Sequence, residues 1–97
     1  LSVILDLNNL LDEHNFRRQR EVIDESFALF GDRIAAIHIK DFKVESGKKI
    51  PALPGEGIMD IPYLFSVLKE KKPYIDILTE EIKEKDIVQV KQYLEHL

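Results

Sequence analysis

The fold class is decided by residues 34–41, which read Ile-Ala-Ala-Ile-His-Ile-Lys-Asp. This run is apolar almost throughout and does not alternate between apolar and polar residues, a pattern typical of a parallel strand that is covered on both faces. Shorter apolar runs lie at residues 3–5 and 74–78. The sequence therefore predicts three parallel strands.

Helical patterns follow each of these runs. The first helix is predicted over residues 16–30, with Asn15 as its N-cap and Gly31 ending it in a left-handed turn. The second helix is expected to begin after Asp60 and the third after Asp86. The predicted order is β-α-β-α-β-α, an α/β fold in which right-handed helical crossovers join parallel strands.

One long loop is predicted between the second strand and the second helix, over residues 41–57. It leaves the carboxyl end of a strand, where α/β folds place their ligands. We expect residues 43–53 to be mobile and to close over a site when substrate binds. The Pro-Gly-Glu-Gly stretch at residues 54–57 either lets a phosphate or sugar approach the backbone or makes a tight turn into the helix.

Composition excludes several classes of function. The chain has 97 residues, which is one domain or part of one, and its 14 Lys and Arg against 18 Asp and Glu leave a net charge of −4. That charge argues against a surface that coats nucleic acid. Without cysteine there is no disulfide, thiolate nucleophile or cysteine metal site. No apolar run spans a membrane and no signal segment opens the chain, so we expect no membrane partner and a cytoplasmic location.

Polar side chains end each predicted strand. Asp6 ends the first strand, His38 lies near the end of the second, and Glu80 follows the third. Since the carboxyl ends of parallel strands meet at one edge of a sheet, these three side chains are expected to converge there. Carboxylate and imidazole groups suit Mn²⁺, Mg²⁺, Co²⁺ or Zn²⁺.

Each of these residues is also consistent with an ordinary structural role outside any site. Asp6 is well placed to cap the turn that follows its strand. His38, between two isoleucines, is consistent with a buried histidine bonded to a backbone carbonyl. Glu80 is consistent with a solvated charge at the start of a loop. Only the conjunction of the three at successive strand ends favours a site.

In order along the chain, these segments resemble the xylose-isomerase-like TIM-barrel superfamily, which includes sugar-phosphate isomerases and epimerases and the apurinic endonucleases of the endonuclease IV type. The matching segments are ILDLNN at residues 4–9, HIKD at 38–41, PGEG at 54–57 and a strand ending at Glu80. A complete (β/α)₈ barrel takes about 250 residues, so 97 residues hold about three units. The resemblance implies that residues 1–97 are the C-terminal portion of a single TIM-barrel domain, units six to eight. A chain that opens in a strand at Leu1 is also expected to be a fragment.

The resemblance implies a metal centre. Asp6, His38 and Glu80 match the family's metal ligands on the sixth, seventh and eighth strands, and Glu81 is the alternative to Glu80 if the register differs by one. Glu80 is also the expected acid/base. The family's fourth ligand, a glutamate on the fifth strand, lies upstream of Leu1.

Three further residues are predicted to bind substrate. Asn9 stands where the sugar epimerases and endonucleases usually carry a histidine, and an asparagine can bond a sugar hydroxyl but is a poor metal ligand. Lys40 either holds a substrate hydroxyl or phosphate or faces solvent. Asp41 completes the predicted substrate set.

The resemblance implies part of a metal-dependent sugar or sugar-phosphate isomerase or epimerase that moves a proton through an enediolate. The 97-residue chain alone is expected to be inactive. Its expected partners are a small sugar or sugar phosphate and the remainder of the barrel, or a second copy that pairs through the sheet. The alternatives are an endonuclease IV-like nuclease, disfavoured because the usual Asp-x-His is missing before the Gly-x-Gly, and a non-catalytic barrel fragment.

Overall fold

A computed structural model of the chain describes residues 2–79 and 82–97. The secondary structure comprises, in chain order, β1 (Val3–Asp6), α1 (Leu7–Leu10), α2 (Gln19–Phe30), β2 (Ile34–Ile39), β3 (Asp41–Glu45), β4 (Lys48–Ala52), α3 (Ile61–Lys71), β5 (Asp76–Thr79) and α4 (Glu84–Glu95). Short 3₁₀ helices at Phe16–Arg18 and Gly31–Arg33 precede and follow α2.

The main sheet contains three parallel strands in the order β1-β2-β5. The central strand, β2, occupies the range predicted from its apolar run. The register places Asp6 beside His38 and Ile39 beside Thr79, so the strands end at a common edge. The parallel α/β arrangement expected from the sequence is thereby confirmed.

The two faces of this sheet are covered unequally. Leu5, Ile37 and Ile39 point to the side on which α2 and α3 pack, and they belong to the buried core together with Ile23 and Leu64. The other face carries Ile4, which is 59% exposed, and Leu78, which is 40% exposed. A single layer of helices therefore covers one side of the sheet.

The first predicted helix is present, but its ends differ from the prediction. Asn15 makes no side-chain cap; instead, the Asp12 Oδ1 atom accepts the backbone N–H groups of His14 at 2.7 Å and Asn15 at 2.9 Å. Gly31 has a φ of −47°, so it continues the chain in a right-handed conformation into a 3₁₀ turn. Both predicted end signals are therefore wrong: the Asn15 side chain bonds to the backbone of Asp12 and Leu10, and Gly31 makes no left-handed turn.

The ends of the later helices follow the prediction more closely. Asp60 caps α3 as expected, since its Oδ1 atom accepts the backbone N–H of Tyr63 at 3.1 Å. The last helix begins at Glu84, before the expected start after Asp86. The four-residue helix α1, directly after β1, was not predicted.

The predicted long loop is largely a β-hairpin. β3 and β4 pair antiparallel across a two-residue turn at Ser46 and Gly47, whose φ values are 50° and 73°. Positive φ at both central residues is the geometry that closes the tightest hairpins. The expectation of a structureless segment was therefore wrong for most of residues 41–57.

Candidate functional site

The candidate site lies where β1 and β2 end. Asp6 and His38 are directly paired across these strands, and the Asp6 Oδ2 atom lies 3.6 Å from the His38 Nδ1 atom. Both side chains are mostly buried, at 13% and 14% exposure. The parallel register brings these two predicted site residues together.

The carboxylate of Asp6 divides its contacts between two sides. Its Oδ1 atom accepts the backbone N–H of Asn9 at 3.4 Å and so caps α1. Its Oδ2 atom faces His38 and also lies 3.3 Å from the Lys40 Nζ atom. One oxygen of Asp6 therefore caps α1, while the other remains directed to His38 and Lys40; its role as a metal ligand stays a prediction.

Lys40 belongs to this cluster, because its ammonium group forms an ion pair with Asp6 and its side chain is only about one-third exposed. Lys40 therefore lies beside Asp6 at the strand edge, and its predicted role in holding a substrate oxygen stays a prediction. The positive charge beside Asp6 can hold an oxygen of a bound molecule at the strand edge.

An open cavity of about 730 Å³ adjoins the cluster. Asn8 and Lys40 line it on the side of the strand ends, and Phe42, Lys49 and Pro51 line it on the side of the hairpin. Cavities of this size, with apolar walls and a few polar groups, are typical of small-molecule sites. Because residues of both regions line the same cavity, the hairpin lies beside the strand ends.

The described part of the site supplies two residues of the kinds that bind divalent metal ions. Asp6 offers a carboxylate and His38 an imidazole nitrogen. Within residues 2–79 and 82–97 there is no group of three or more His, Cys, Asp or Glu side chains that could hold a metal ion. Glu80, the third predicted ligand and the expected acid/base, and its alternative Glu81 lie outside the described residues. The donor types fit a metal ion, and the described set is incomplete by itself.

A family model described as xylose isomerase-like TIM barrel matches residues 1–97, the whole chain. The chain belongs to this family. No curated protein and no solved structure matches it. Among the helices of residues 2–79 and 82–97, none has the length and apolarity of a membrane span.

In this member of the xylose isomerase-like TIM-barrel family, Asp41, one of the predicted substrate-binding residues, is hydrogen-bonded to the backbone of the segment before α3. It is 2% exposed, and its carboxylate accepts four backbone N–H groups. The Oδ1 atom accepts those of Phe42 at 2.8 Å and Met59 at 3.0 Å, and the Oδ2 atom accepts those of Gly55 and Gly57, both at 3.0 Å. These hydrogen bonds hold the segment before α3. Asp41 also lines the cavity, and its role in binding substrate stays a prediction.

The same contacts explain the two glycines of the Pro-Gly-Glu-Gly stretch. Gly55 has a φ of +90°, and a Cβ atom there would lie 2.7 Å from the ring of Tyr93. A Cβ atom on Gly57 would lie 2.2 Å from the Asp41 Oδ1 atom and 2.3 Å from the Phe42 carbonyl oxygen. Their N–H groups point at a carboxylate of the chain itself, which favours the tight turn over the phosphate cradle.

Asn9, the remaining predicted substrate residue, is exposed at the end of α1, where its backbone N–H meets Asp6. Sequence reasoning missed Asn8 and Lys49, which line the cavity. Ser46-Gly47 was the available signal, because a two-residue hairpin turn at that point places Lys49 on the same face as Phe42.

Proposed function

We propose that the chain is part of a metal-dependent sugar or sugar-phosphate isomerase or epimerase, and that it forms the last three units of the family's barrel. The observation that carries this proposal is the pairing of Asp6 and His38 at the carboxyl ends of neighbouring parallel strands, in a chain of the xylose isomerase-like TIM-barrel family. Active sites of TIM barrels lie at this end of the strands.

Asp6, His38 and Glu80 would hold the divalent ion, which is Mn²⁺, Mg²⁺, Co²⁺ or Zn²⁺. When bound, the ion supplies the polarisation of substrate oxygens that makes a neighbouring C–H bond acidic. Glu80 is the proposed acid/base for the proton that is then transferred, because a carboxylate beside a cation and an apolar wall can have its pKa tuned for that task.

Other residues bind and orient the sugar in this proposal. Lys40 holds a hydroxyl or phosphate oxygen beside Asp6, where its ammonium group already lies. Asn9 offers an amide to a sugar hydroxyl from the exposed end of α1. Phe42 and Pro51 give the cavity an apolar wall that limits the entry of water.

A non-catalytic barrel segment is the second candidate, and one observation favours it. Within residues 2–79 and 82–97, Asp6 and His38 lie together, but no group of three or more His, Cys, Asp or Glu side chains could hold a metal ion. If Glu80 does not complete the metal centre, the chain keeps the strands of the family's barrel but lacks a complete set of metal ligands. Metal content distinguishes this candidate from the enzyme.

The test uses the full-length protein with Asp6→Ala and His38→Ala. Each substitution should lower the bound divalent metal and abolish turnover while the circular dichroism spectrum stays unchanged, because each removes a proposed ligand and little packing. Metal analysis is followed by a screen of ketoses and inosose-like cyclitols.

Asp32→Ala is the matched control, because Asp32 is an exposed carboxylate before the start of β2, whereas His38 lies near the carboxyl end of that strand. It should keep full metal content and turnover. Full activity in either site variant would refute the metal site, and a wild-type protein without metal or turnover would favour the non-catalytic segment.

A further inference from the structure

Lys49 makes an unusual set of contacts for a lysine on a hairpin. Its Nζ atom donates to the backbone carbonyl oxygens of Asn8 at 2.5 Å and Leu11 at 2.7 Å, across about forty residues of sequence. The same ammonium group lies 4.8 Å from the centre of the Phe42 ring. A partly buried cation therefore joins the hairpin to the segment that follows Asp6.

The segment after Asp6, which contains α1, depends on a hydrogen-bond donor from elsewhere in the chain. α1 has only four residues, too few to hold itself by helix propagation. The last carbonyl groups of a helix have no partner within it, and those of Asn8 and Leu11 find theirs in Lys49. Hydrogen bonds from a charged donor are stronger than neutral ones.

The contacts continue from α1 to the site. The backbone N–H of Asn9, between the two carbonyl groups held by Lys49, donates to the Asp6 Oδ1 atom. With Oδ1 held by α1, the Oδ2 atom is directed to His38 and Lys40. The orientation of the Asp6 carboxylate thus depends on where α1 lies.

We propose that Lys49 is a positioning residue that sets the direction of the Asp6 carboxylate through α1. The proposal gives the hairpin a task beyond forming a cavity wall, since β4 carries the group that orders the strand edge. This proposal rests on the proposed function only because it takes Asp6 as a metal ligand. The link from Lys49 to α1 is supported independently by the hydrogen bonds of Lys49 to Asn8 and Leu11.

The experiment compares Lys49→Met and Lys49→Arg in the full-length protein by hydrogen exchange and by Mn²⁺ titration. Methionine keeps the length and the apolar stem but removes the donors and the charge, whereas arginine keeps both. Lys48→Met is the matched control, because Lys48 is the exposed neighbour on the opposite face of the same hairpin.

Lys49→Met should speed amide exchange in residues 7–11 about tenfold and leave α3 unchanged. It should also weaken Mn²⁺ binding about tenfold, as the loss of other outer partners of metal ligands does. Lys49→Arg should restore both properties towards wild type, and Lys48→Met should alter neither.

The proposal is overturned if exchange in residues 7–11 stays at the wild-type rate in Lys49→Met, or if it rises equally in α3. Unchanged Mn²⁺ affinity, with faster exchange in residues 7–11, also overturns it, because Lys49 would then order α1 without orienting Asp6. A wild-type protein that binds no Mn²⁺ refutes the proposed function instead, and the exchange comparison then decides the role of Lys49 by itself.

Discussion

At the scale of the residue, Asp41 shows how one carboxylate organises a long connection. Four backbone N–H groups, one from the adjacent Phe42 and three from residues 55–59, converge on its two oxygens. Backbone donors buried without a partner cost about 1–3 kcal/mol each. A charged acceptor removed from water is stable here because every direction around it is occupied by a donor.

We predict that Asp41→Asn lowers the free energy of unfolding by about 3 kcal/mol. The amide nitrogen would face two N–H donors in place of an acceptor, whichever way the side chain is turned. Urea denaturation measures the change, and exposed Asp32→Asn is the control, expected to cost little. A loss of stability no larger than that of the control would contradict this account of Asp41.

Glycine substitutions provide a second test at this scale. Gly57→Ala should destabilise by about 3 kcal/mol, because the new Cβ atom would meet a carboxylate and a carbonyl oxygen that are both held in place. Gly31→Ala is the matched control, since no atom lies within 4 Å of its Cβ position and its φ is −47°. It should be neutral or stabilising, by up to about 1 kcal/mol. Equal midpoints of thermal unfolding for the two variants would show that Gly57 is not required.

At the scale of the element, polar contacts join α2 to α3. The Tyr63 hydroxyl donates to the Asp24 Oδ1 atom at 2.7 Å, and the Arg20 guanidinium pairs with Asp60 and lies over the Tyr63 ring. The hydrogen bond to Asp24 raises the pKa of Tyr63 above its ordinary value of 10.0. These contacts orient two helices whose apolar faces already meet in the core.

This link should make stability sensitive to alkaline pH. Because the pKa of the Tyr63 hydroxyl is higher in the folded than in the unfolded chain, this group stabilises the fold at pH values below its unfolded pKa of 10.0. That stabilisation is lost as the pH rises through the higher pKa of the folded state. Thermal unfolding measured across this range should show a decline that Tyr63→Phe reduces. Tyr74→Phe, at a residue that is 96% exposed, should leave the decline as in wild type. The same decline in all three proteins would exclude Tyr63 as its source.

At the scale of the whole molecule, the uncovered face of the main sheet is the dominant feature. Ile4 and Leu78 lie on it, opposite the helices. Covering an apolar side chain of this size stabilises by about 1.5–3 kcal/mol, which is considerable beside the stability of a small domain. In the family's closed barrel, further strands and their side chains cover this face.

We therefore predict that the isolated 97-residue chain associates through this sheet. Light scattering at micromolar concentration should show species larger than the monomer, and Ile4→Gln with Leu78→Gln should reduce their mass. Ile50→Gln, on the exposed side of the hairpin, is the control and should leave association unchanged. A monodisperse, cooperatively folded monomer would show that the face needs no cover.

Structural features that depend on residues close together in the chain could be predicted from the sequence, and features that depend on distant residues could not. The central strand, the cap at Asp60 and the three-strand order follow from runs and spacings that lie within a few residues. The hairpin was not predicted because the polar stretch around Ser46-Gly47 favours a loop, although these two residues form the hairpin turn. The predicted cap at Asn15 failed because its side chain is engaged on the preceding segment, where Oδ1 accepts the backbone N–H of Asp12 and Nδ2 donates to the Leu10 carbonyl oxygen, both at 2.8 Å.

The parallel α/β class and the place of Asp6 and His38 at neighbouring strand ends follow from the amino-acid pattern, since a strand's register and its terminal residue are set by the local apolar pattern. That Asp41 is a buried acceptor of backbone N–H groups, and that Lys49 reaches α1, is visible only in the folded chain. Apart from the adjacent Phe42, the groups on which those roles depend are between 14 and 41 positions away along the chain. Such partners become visible only when the fold brings their backbone atoms together.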